Sequence, residues 1–171
     1  MAIIERPAPT VPAIVTPTST YGLLKRPVST TGWRAWVFTV DHKKLGIMYA
    51  ATAMFFFIVG GVEALLIRLQ LAAPNGKVLN ADLYNQMFTM HATTMVFLFV
   101  MPMAAGFANY FVPLQIGARD VAFPRLNAFG FWAFLFGGIF LNLAWFLGGA
   151  ADGGWFMYAP NSGPVFSPSH G

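Results

Sequence analysis

One histidine, His91, lies near the start of a long uncharged run that contains the stretch MFTMHATTMVFLFV. Ionisable side chains are costly inside a membrane span, so such a residue is first interpreted as functional. A neutral imidazole is a good axial ligand for haem iron, and haem propionates need a cationic or hydrogen-bonding partner. Arg68, towards the end of the preceding apolar run, could be that partner. The alternatives are a hydrogen bond from His91 to a neighbouring helix, and an Arg68 side chain that extends to the membrane surface without a ligand.

A second polar group falls at the other end of the same run. Asn109 precedes that end, Asp120 lies in the short connection that follows, and Asn127 begins the next apolar run. A carboxylate and two amides at one membrane face could begin a hydrogen-bonded water path. The alternative, which the spacing alone favours, is a solvated aspartate with two amides that cap helix ends.

The composition is that of a membrane protein. Of 171 residues, 57% are hydrophobic and 9% are charged, whereas roughly 25% of the residues of an average soluble protein are charged. Cysteine is absent, which excludes disulfides and thiolate metal sites. The ten basic residues form no stripe interleaved with aromatic side chains, so nucleic-acid binding is not expected.

Three apolar runs are long enough to cross a bilayer, for which a helix needs about 20 residues. We predict helices at about 43–71, 83–113 and 125–149, followed by a Gly/Pro-rich loop on the outer face, all within one unit of residues 34–171. Residues 1–33 are rich in Pro, Thr and Ser and lack the features of a signal peptide. They are predicted to form a disordered cytoplasmic tail.

The distribution of Lys and Arg sets the orientation of these spans. Eight of the ten fall on the side of the tail, namely Arg6, Lys25, Arg26, Arg34, Lys43, Lys44, Arg119 and Arg125. Basic residues accumulate on the cytoplasmic side of a membrane protein, so the N-terminus is predicted to be cytoplasmic in a bacterial inner membrane. Asp120 then lies inside and Arg68 outside. Trp33 and Trp36 stand just before the first span, where an interfacial aromatic belt is expected.

Five motifs together resemble subunit I of the haem–copper respiratory oxidases, of the bacterial cytochrome c oxidase (aa3) type. They are DHKKLGIMY, LLIRLQL, MFTMHATTM, NYFVPLQIGARDVAFPRLN and GWFMYAP, in the order and spacing of that family. The resemblance runs from about Trp33 to Pro160, which corresponds to about the first third of such a subunit. It implies an all-α integral membrane fold, in which three transmembrane helices form the first part of a bundle of about twelve.

The resemblance also implies roles for individual residues. His91 matches one of two axial ligands of the iron in a low-spin haem a, and Arg68 and Tyr84 match residues beside that haem. Trp155 matches a tryptophan at the propionate region of a second, high-spin haem a3. Asp120 matches the proton-uptake residue of the D-channel, with Asn109 and Asn127 as its flanking amides. The ligands of haem a3 and of copper B match no residue of this chain.

The activity that the resemblance implies is electron transfer from cytochrome c, through subunit II, to O2, with proton pumping. Subunits II and III and membrane lipid would be its partners. This fragment alone is not expected to be active, because it holds one of two ligands of one haem.

One alternative is subunit I of a ubiquinol oxidase. This chain has Val59 and Leu83 where that branch carries an arginine and a histidine, although it retains Glu63 and Gln86. A third possibility, of another class, is a stand-alone three-helix protein that binds haem or assists assembly.

Overall fold

A computed structural model describes residues 31–163 and 165–167 of the chain. Residues 1–30 of the predicted tail therefore lie outside the described residues. Within the described ranges every regular element is helical, and three stretches are long and apolar enough to cross a membrane: 42–70, 81–115 and 124–146. The chain is thus a multi-pass membrane protein with an all-α fold, as its sequence predicts.

The first span is a single long helix preceded by a short one. α1 is a single turn, Arg34–Val37, that contributes no residue to the buried core. α2 covers His42–Gln70, and its 29 residues extend about 44 Å, more than the roughly 30 Å of a bilayer core. It begins at Asp41, whose side chain accepts a hydrogen bond from the amide of Lys43 at 3.1 Å. Such a cap satisfies one of the amides that a helix start leaves without a partner.

The second span changes its helical form part-way along. It consists of α3 (Ala81–Thr93), a π-helical segment (Thr94–Val100) and α4 (Met101–Gln115). Asn80 caps its start by accepting a hydrogen bond from the amide of Leu83 at 2.7 Å. The helix therefore begins at Ala81, two residues before the predicted start at residue 83. Pro102, two residues after the end of the π-helical segment, has no amide to offer the carbonyl four residues earlier. Wider i→i+5 bonding accommodates that loss.

The third span is the shortest. α5 covers Pro124–Leu143 and continues as a 3-10 turn, Ala144–Phe146. Pro124 stands in the first turn of the helix, where its missing amide costs nothing. The helical stretch ends three residues before the predicted end at about residue 149, because the chain turns at Gly148 and Gly149, which both have positive φ. From there a loop folds back towards α3, and its described residues are 147–163 and 165–167. We call it the outer loop, after the side of the membrane on which the sequence predicts it.

α2 packs against every part of the second span and, less extensively, against α5. Its closest approach to α4 is made by two glycines: a Cβ on Gly46 would lie 2.8 Å from the Gly106 carbonyl oxygen. Beside this crossing, Leu45, Tyr49 and Phe131 form a buried cluster, with the rings of Tyr49 and Phe131 edge to face at 5.2 Å. These contacts fix the register of the three spans around the two groups of polar residues.

Candidate functional site

His91 lies on α3 and is half-buried against α2. Its Nδ1 is 2.8 Å from the backbone carbonyl oxygen of Gly60. A carbonyl oxygen can only accept, so Nδ1 carries the hydrogen and donates it. In a neutral imidazole Nε2 then keeps its lone pair. This is the arrangement found in metal-binding histidines, in which a hydrogen bond to one ring nitrogen orients the other towards the metal.

The contact depends on the absence of a side chain at Gly60. A Cβ there would lie 2.9 Å from Sδ of Met95 and 3.3 Å from Cγ2 of Thr94, both in the π-helical segment. The glycine therefore lets α2 approach the second span closely enough for its main chain to reach the imidazole.

Two further polar side chains are buried at this interface. The hydroxyl of Thr94 has no hydrogen-bond partner within the described residues, and neither oxygen of Glu63, one turn beyond Gly60, has a partner of normal geometry there. Glu63 is only 4% exposed, and the indole of Trp145 is the polar group beside it. Buried polar groups without a hydrogen-bond partner are rare in folded proteins. Thr94 and Glu63 therefore mark this interface as a candidate binding site.

The donor set at His91 suits an iron that is already held in a macrocycle. One imidazole supplies one ligand, and the described part of the chain holds no cluster of three or more His, Cys, Asp or Glu side chains that could bind a bare metal ion. Axial ligation of haem needs only one such nitrogen on each face. The residues present therefore fit a haem.

Arg68 and Tyr84 both lie towards the end of the bundle where α2 ends and α3 begins. Arg68 is exposed in the last turn of α2, about 12 Å beyond Gly60 along the helix axis. Tyr84 is half-buried and seven residues before His91, which places the two on about the same face of α3. No hydrogen bond joins either side chain to His91 in the described structure.

Trp155 is held beside the second span by the outer loop. Its ring is half exposed and lies 6.4 Å, centroid to centroid, from that of Phe97 in the π-helical segment. The preceding amide, of Gly154, donates a hydrogen bond to Oγ1 of Thr89 at 2.9 Å. Trp155, the site residue that the sequence predicts in this loop, thus lies next to the second span, which carries His91.

The second group of polar residues, which comprises Asn109, Asp120 and Asn127, lines two adjoining clefts at the opposite end of the bundle. Asn109 and Asp120 line one cleft, and Asn109 lines the other together with Asn127 and Tyr49. Asn109 is therefore common to both, and the structure brings the three sequence-predicted residues together. Nδ2 of Asn127 is buried without a hydrogen-bond partner in the described residues, and a water molecule in the cleft would satisfy it.

A buried histidine, His42, supports this region from the start of α2. It is 2% exposed, and its Nδ1 donates to the backbone carbonyl of Asn109 at 2.9 Å. Pro113, four residues after Asn109, has no amide with which to satisfy that carbonyl. His42 thus supplies the hydrogen bond that the proline removes.

Comparison with known proteins identifies the family. Residues 44–169 match the sequence model of the family described as Cytochrome C and Quinol oxidase polypeptide I. The chain belongs to this oxidase family. The match includes the second and third spans, all but the first two residues of the first span, and all seven sequence-predicted site residues.

Individual members of the oxidase family are similar to this chain over most of its length. It is 59% identical over 133 residues to cytochrome c oxidase subunit 1 of Bacillus subtilis (strain 168), which is 78% of this chain and 21% of the relative. The subunit 1 of Bacillus sp. (strain PS3) is 62% identical over 71% of this chain and 20% of its own length. That of Corynebacterium efficiens is 54% identical over 82% and 25%, respectively. The chain spans about a fifth to a quarter of the length of these curated relatives.

Several residues have contacts in the sites of this oxidase-family chain that were not predicted from the sequence. They are Gly60, which accepts from His91, Gln86 and Thr89, which hold the outer loop, and His42 and Tyr49, which adjoin Asn109. His42 and Thr89 had a signal in the sequence, since each is a polar residue beside an apolar run. Their partners are 67 and 65 residues away along the chain, and only the packing of the spans reveals them.

Proposed function

We propose that this chain forms the N-terminal part of subunit I of a cytochrome c oxidase, and that His91 supplies one axial ligand of a low-spin haem a. The observation that carries the proposal is the hydrogen bond from Nδ1 of His91 to the Gly60 carbonyl. It leaves Nε2 as the free lone pair, which is the state that an iron ligand requires. The similarity to cytochrome c oxidase subunits 1 supports the same assignment.

The other residues near this end act on the periphery of the haem. When bound, the haem supplies one-electron transfer chemistry. Arg68 offers five donors and a fixed positive charge, which suit a carboxylate or carbonyl substituent of a porphyrin. Tyr84 adds a hydroxyl on the face of His91. Trp155, half exposed beside the π-helical segment, offers an indole donor to the propionate region of a second haem.

At the opposite end, Asp120 takes up protons for the reaction, and Asn109 and Asn127 order water in the clefts behind it. A carboxylate near the surface exchanges protons with bulk solvent and attracts them electrostatically. The buried, unpartnered Nδ2 of Asn127 supports a site for ordered water. The basic residues that flank this end support its position on the cytoplasmic side.

The remaining components follow from the family. The complete subunit would hold haem a, haem a3 and copper B in a bundle of about twelve helices, in a bacterial inner membrane with the N-terminus in the cytoplasm. It would assemble with subunits II and III, receive electrons from cytochrome c through subunit II, and reduce O2.

Ubiquinol oxidation is the second candidate, since the family description includes quinol oxidases and Glu63 is a buried acidic side chain. Gln86, the other retained residue, already has structural partners. Its Oε1 accepts from the amide of Ala150 and its Nε2 donates to Asp82. Its presence therefore does not favour a quinol site, and cytochrome c remains the preferred donor.

The test is a His91→Leu variant of the assembled oxidase, with Phe88→Leu as its control. Phe88 lies one turn earlier on α3 and is 54% exposed, so its replacement leaves the interface with α2 intact. We expect His91→Leu to lose the reduced-minus-oxidised absorption bands of the low-spin haem, and Phe88→Leu to keep them. A His91→Leu enzyme with wild-type low-spin haem bands would overturn the proposal.

A further inference from the structure

Two backbone amides of the outer loop donate hydrogen bonds to side chains of α3. The amide of Ala150 donates to Oε1 of Gln86 at 3.0 Å, and that of Gly154 donates to Oγ1 of Thr89 at 2.9 Å. Gln86 and Thr89 are three residues apart, so they lie on one face of the helix, one above the other. The two bonds therefore fasten a segment of five residues, 150–154, along that face.

Both acceptors are fixed in direction by a second hydrogen bond. Nε2 of Gln86 donates to Asp82 at 3.0 Å, which turns its Oε1 towards the loop. The hydroxyl of Thr89 donates its hydrogen to the carbonyl of Asn85 at 2.9 Å, so that only its lone pairs face the loop. Gln86 is 4% exposed and Thr89 is fully buried. Loss of the first bond would leave a buried amide without its partner, and loss of the second a partly buried one, and both are unfavourable.

The attachment ends directly before Trp155. Gly154 has a φ of +78°, a conformation that glycine adopts without strain. The next residue places its ring 6.4 Å from Phe97 and 6.3 Å from Phe156, and half of its surface stays exposed. This hydrogen bond thus holds the backbone directly before the exposed ring.

We propose that Gln86 and Thr89 are positioning residues, which hold the outer loop and, through it, Trp155 against the helix that carries His91. The inference rests on the proposed function, since it gives Trp155 a haem to approach. Thr89 is two residues from His91 on α3, so the loop and the iron ligand are attached to one rigid element. Loosening the loop changes the hydrogen bonds and the water around the haem periphery, and both affect reduction potential.

The side chain of Thr89 permits a sharp test in the assembled oxidase. Thr89→Val keeps the shape but removes the hydroxyl, and Thr89→Ser restores it. Thr93→Val is the matched control, because Thr93 also donates to a carbonyl one turn back, that of Thr89, and contacts no loop amide. Gln86→Met and Gln86→Glu form a second pair, of which only the glutamate keeps an acceptor oxygen for Ala150.

Two properties are measured in each variant: hydrogen–deuterium exchange of the outer loop, and the midpoint potentials of the haems. We expect Thr89→Val to increase exchange at Gly154 about tenfold, as the loss of one hydrogen bond implies, and to shift a haem potential. Thr89→Ser should restore both values, and Thr93→Val should change neither. Trp155→Phe should shift the same potential without loosening the loop, and its effect should not add to that of Thr89→Val.

Unchanged loop exchange in both Thr89→Val and Gln86→Met would overturn the attachment itself. Faster exchange with unaltered potentials would overturn the positioning role, as would a Thr93→Val variant that behaves like Thr89→Val. None of these results concerns the iron ligand. That assignment fails separately, when His91→Leu keeps the low-spin haem bands.

Discussion

His91 donates from Nδ1 to the backbone carbonyl of Gly60, 31 residues earlier and 2.8 Å away. Because the acceptor is a main-chain atom, no side-chain substitution can remove it directly. The tautomer of the imidazole therefore depends on how closely α2 approaches α3. The residues between these two helices determine that distance, and through it the state of His91.

Gly60→Ala tests that dependence. Its Cβ would lie 2.9 Å from Sδ of Met95, so the thioether must move and α2 must withdraw slightly. We expect a shifted low-spin haem band in the assembled oxidase and a loss of about 1 kcal/mol in stability. Gly61→Ala is the control, because no atom of the described residues lies within 4 Å of the position of its Cβ. If both alanines leave the haem spectrum unchanged, the close approach at Gly60 does not govern His91.

Gly46→Ala should be more damaging than Gly60→Ala. Its Cβ would lie 2.8 Å from the Gly106 carbonyl oxygen, and backbone cannot turn aside as a methionine side chain can. We expect a loss of about 1–3 kcal/mol, measured as a lower midpoint of thermal unfolding in detergent. Gly137→Ala should unfold at or above the wild-type temperature, because its Cβ would have no atom within 4 Å in the part of the chain that the structure describes.

Asp120→Asn tests the proton-uptake assignment. The amide keeps the size of the side chain but cannot exchange a proton, so turnover should fall about tenfold or more, with proton pumping reduced and haem spectra unchanged. The measurement is proton release by oxidase in vesicles. Asp41→Asn is the control, since asparagine also caps a helix well. An unaltered proton stoichiometry in Asp120→Asn would contradict the assignment.

His42→Ala tests whether His42 replaces the hydrogen bond that Pro113 cannot donate. The carbonyl of Asn109 would lose the donor that replaces the missing helical amide, at a cost of about 1–3 kcal/mol. Pro113→Ala returns that amide, so the double variant should recover part of the loss. Thermal unfolding of both single variants and the double variant gives the coupling. Strictly additive effects would show that His42 and Pro113 are unrelated.

The sequence predicted the three spans well, because an uncharged run of about 20 residues leaves a helix as the favoured way to satisfy its backbone in lipid. Their ends were predicted less accurately. The second helix starts at Ala81 because Asn80 caps it, whereas hydropathy alone places the start at Leu83.

The site was predicted unevenly. His91, Arg68 and Asp120 stand out as ionisable residues in or beside apolar runs, and the oxidase motifs add Tyr84 and Trp155. The pair Gly60–Gly61 indicates only a close approach of helices, and Thr89 carries no comparable signal, since small residues and threonine are common in membrane helices. Their importance lies in contacts with residues far away in sequence, which only the folded chain brings together.

The π-helical segment Thr94–Val100 has a consequence for the orientation of the whole second span. His91 and Asn109 are 18 residues apart, about five full turns of an uninterrupted α-helix, so without this segment they would point in the same direction. Its wider turn resets the angle between the two halves. Both halves of this one continuous helix meet α2, at Gly60 through the imidazole of His91 and at His42 through the carbonyl of Asn109.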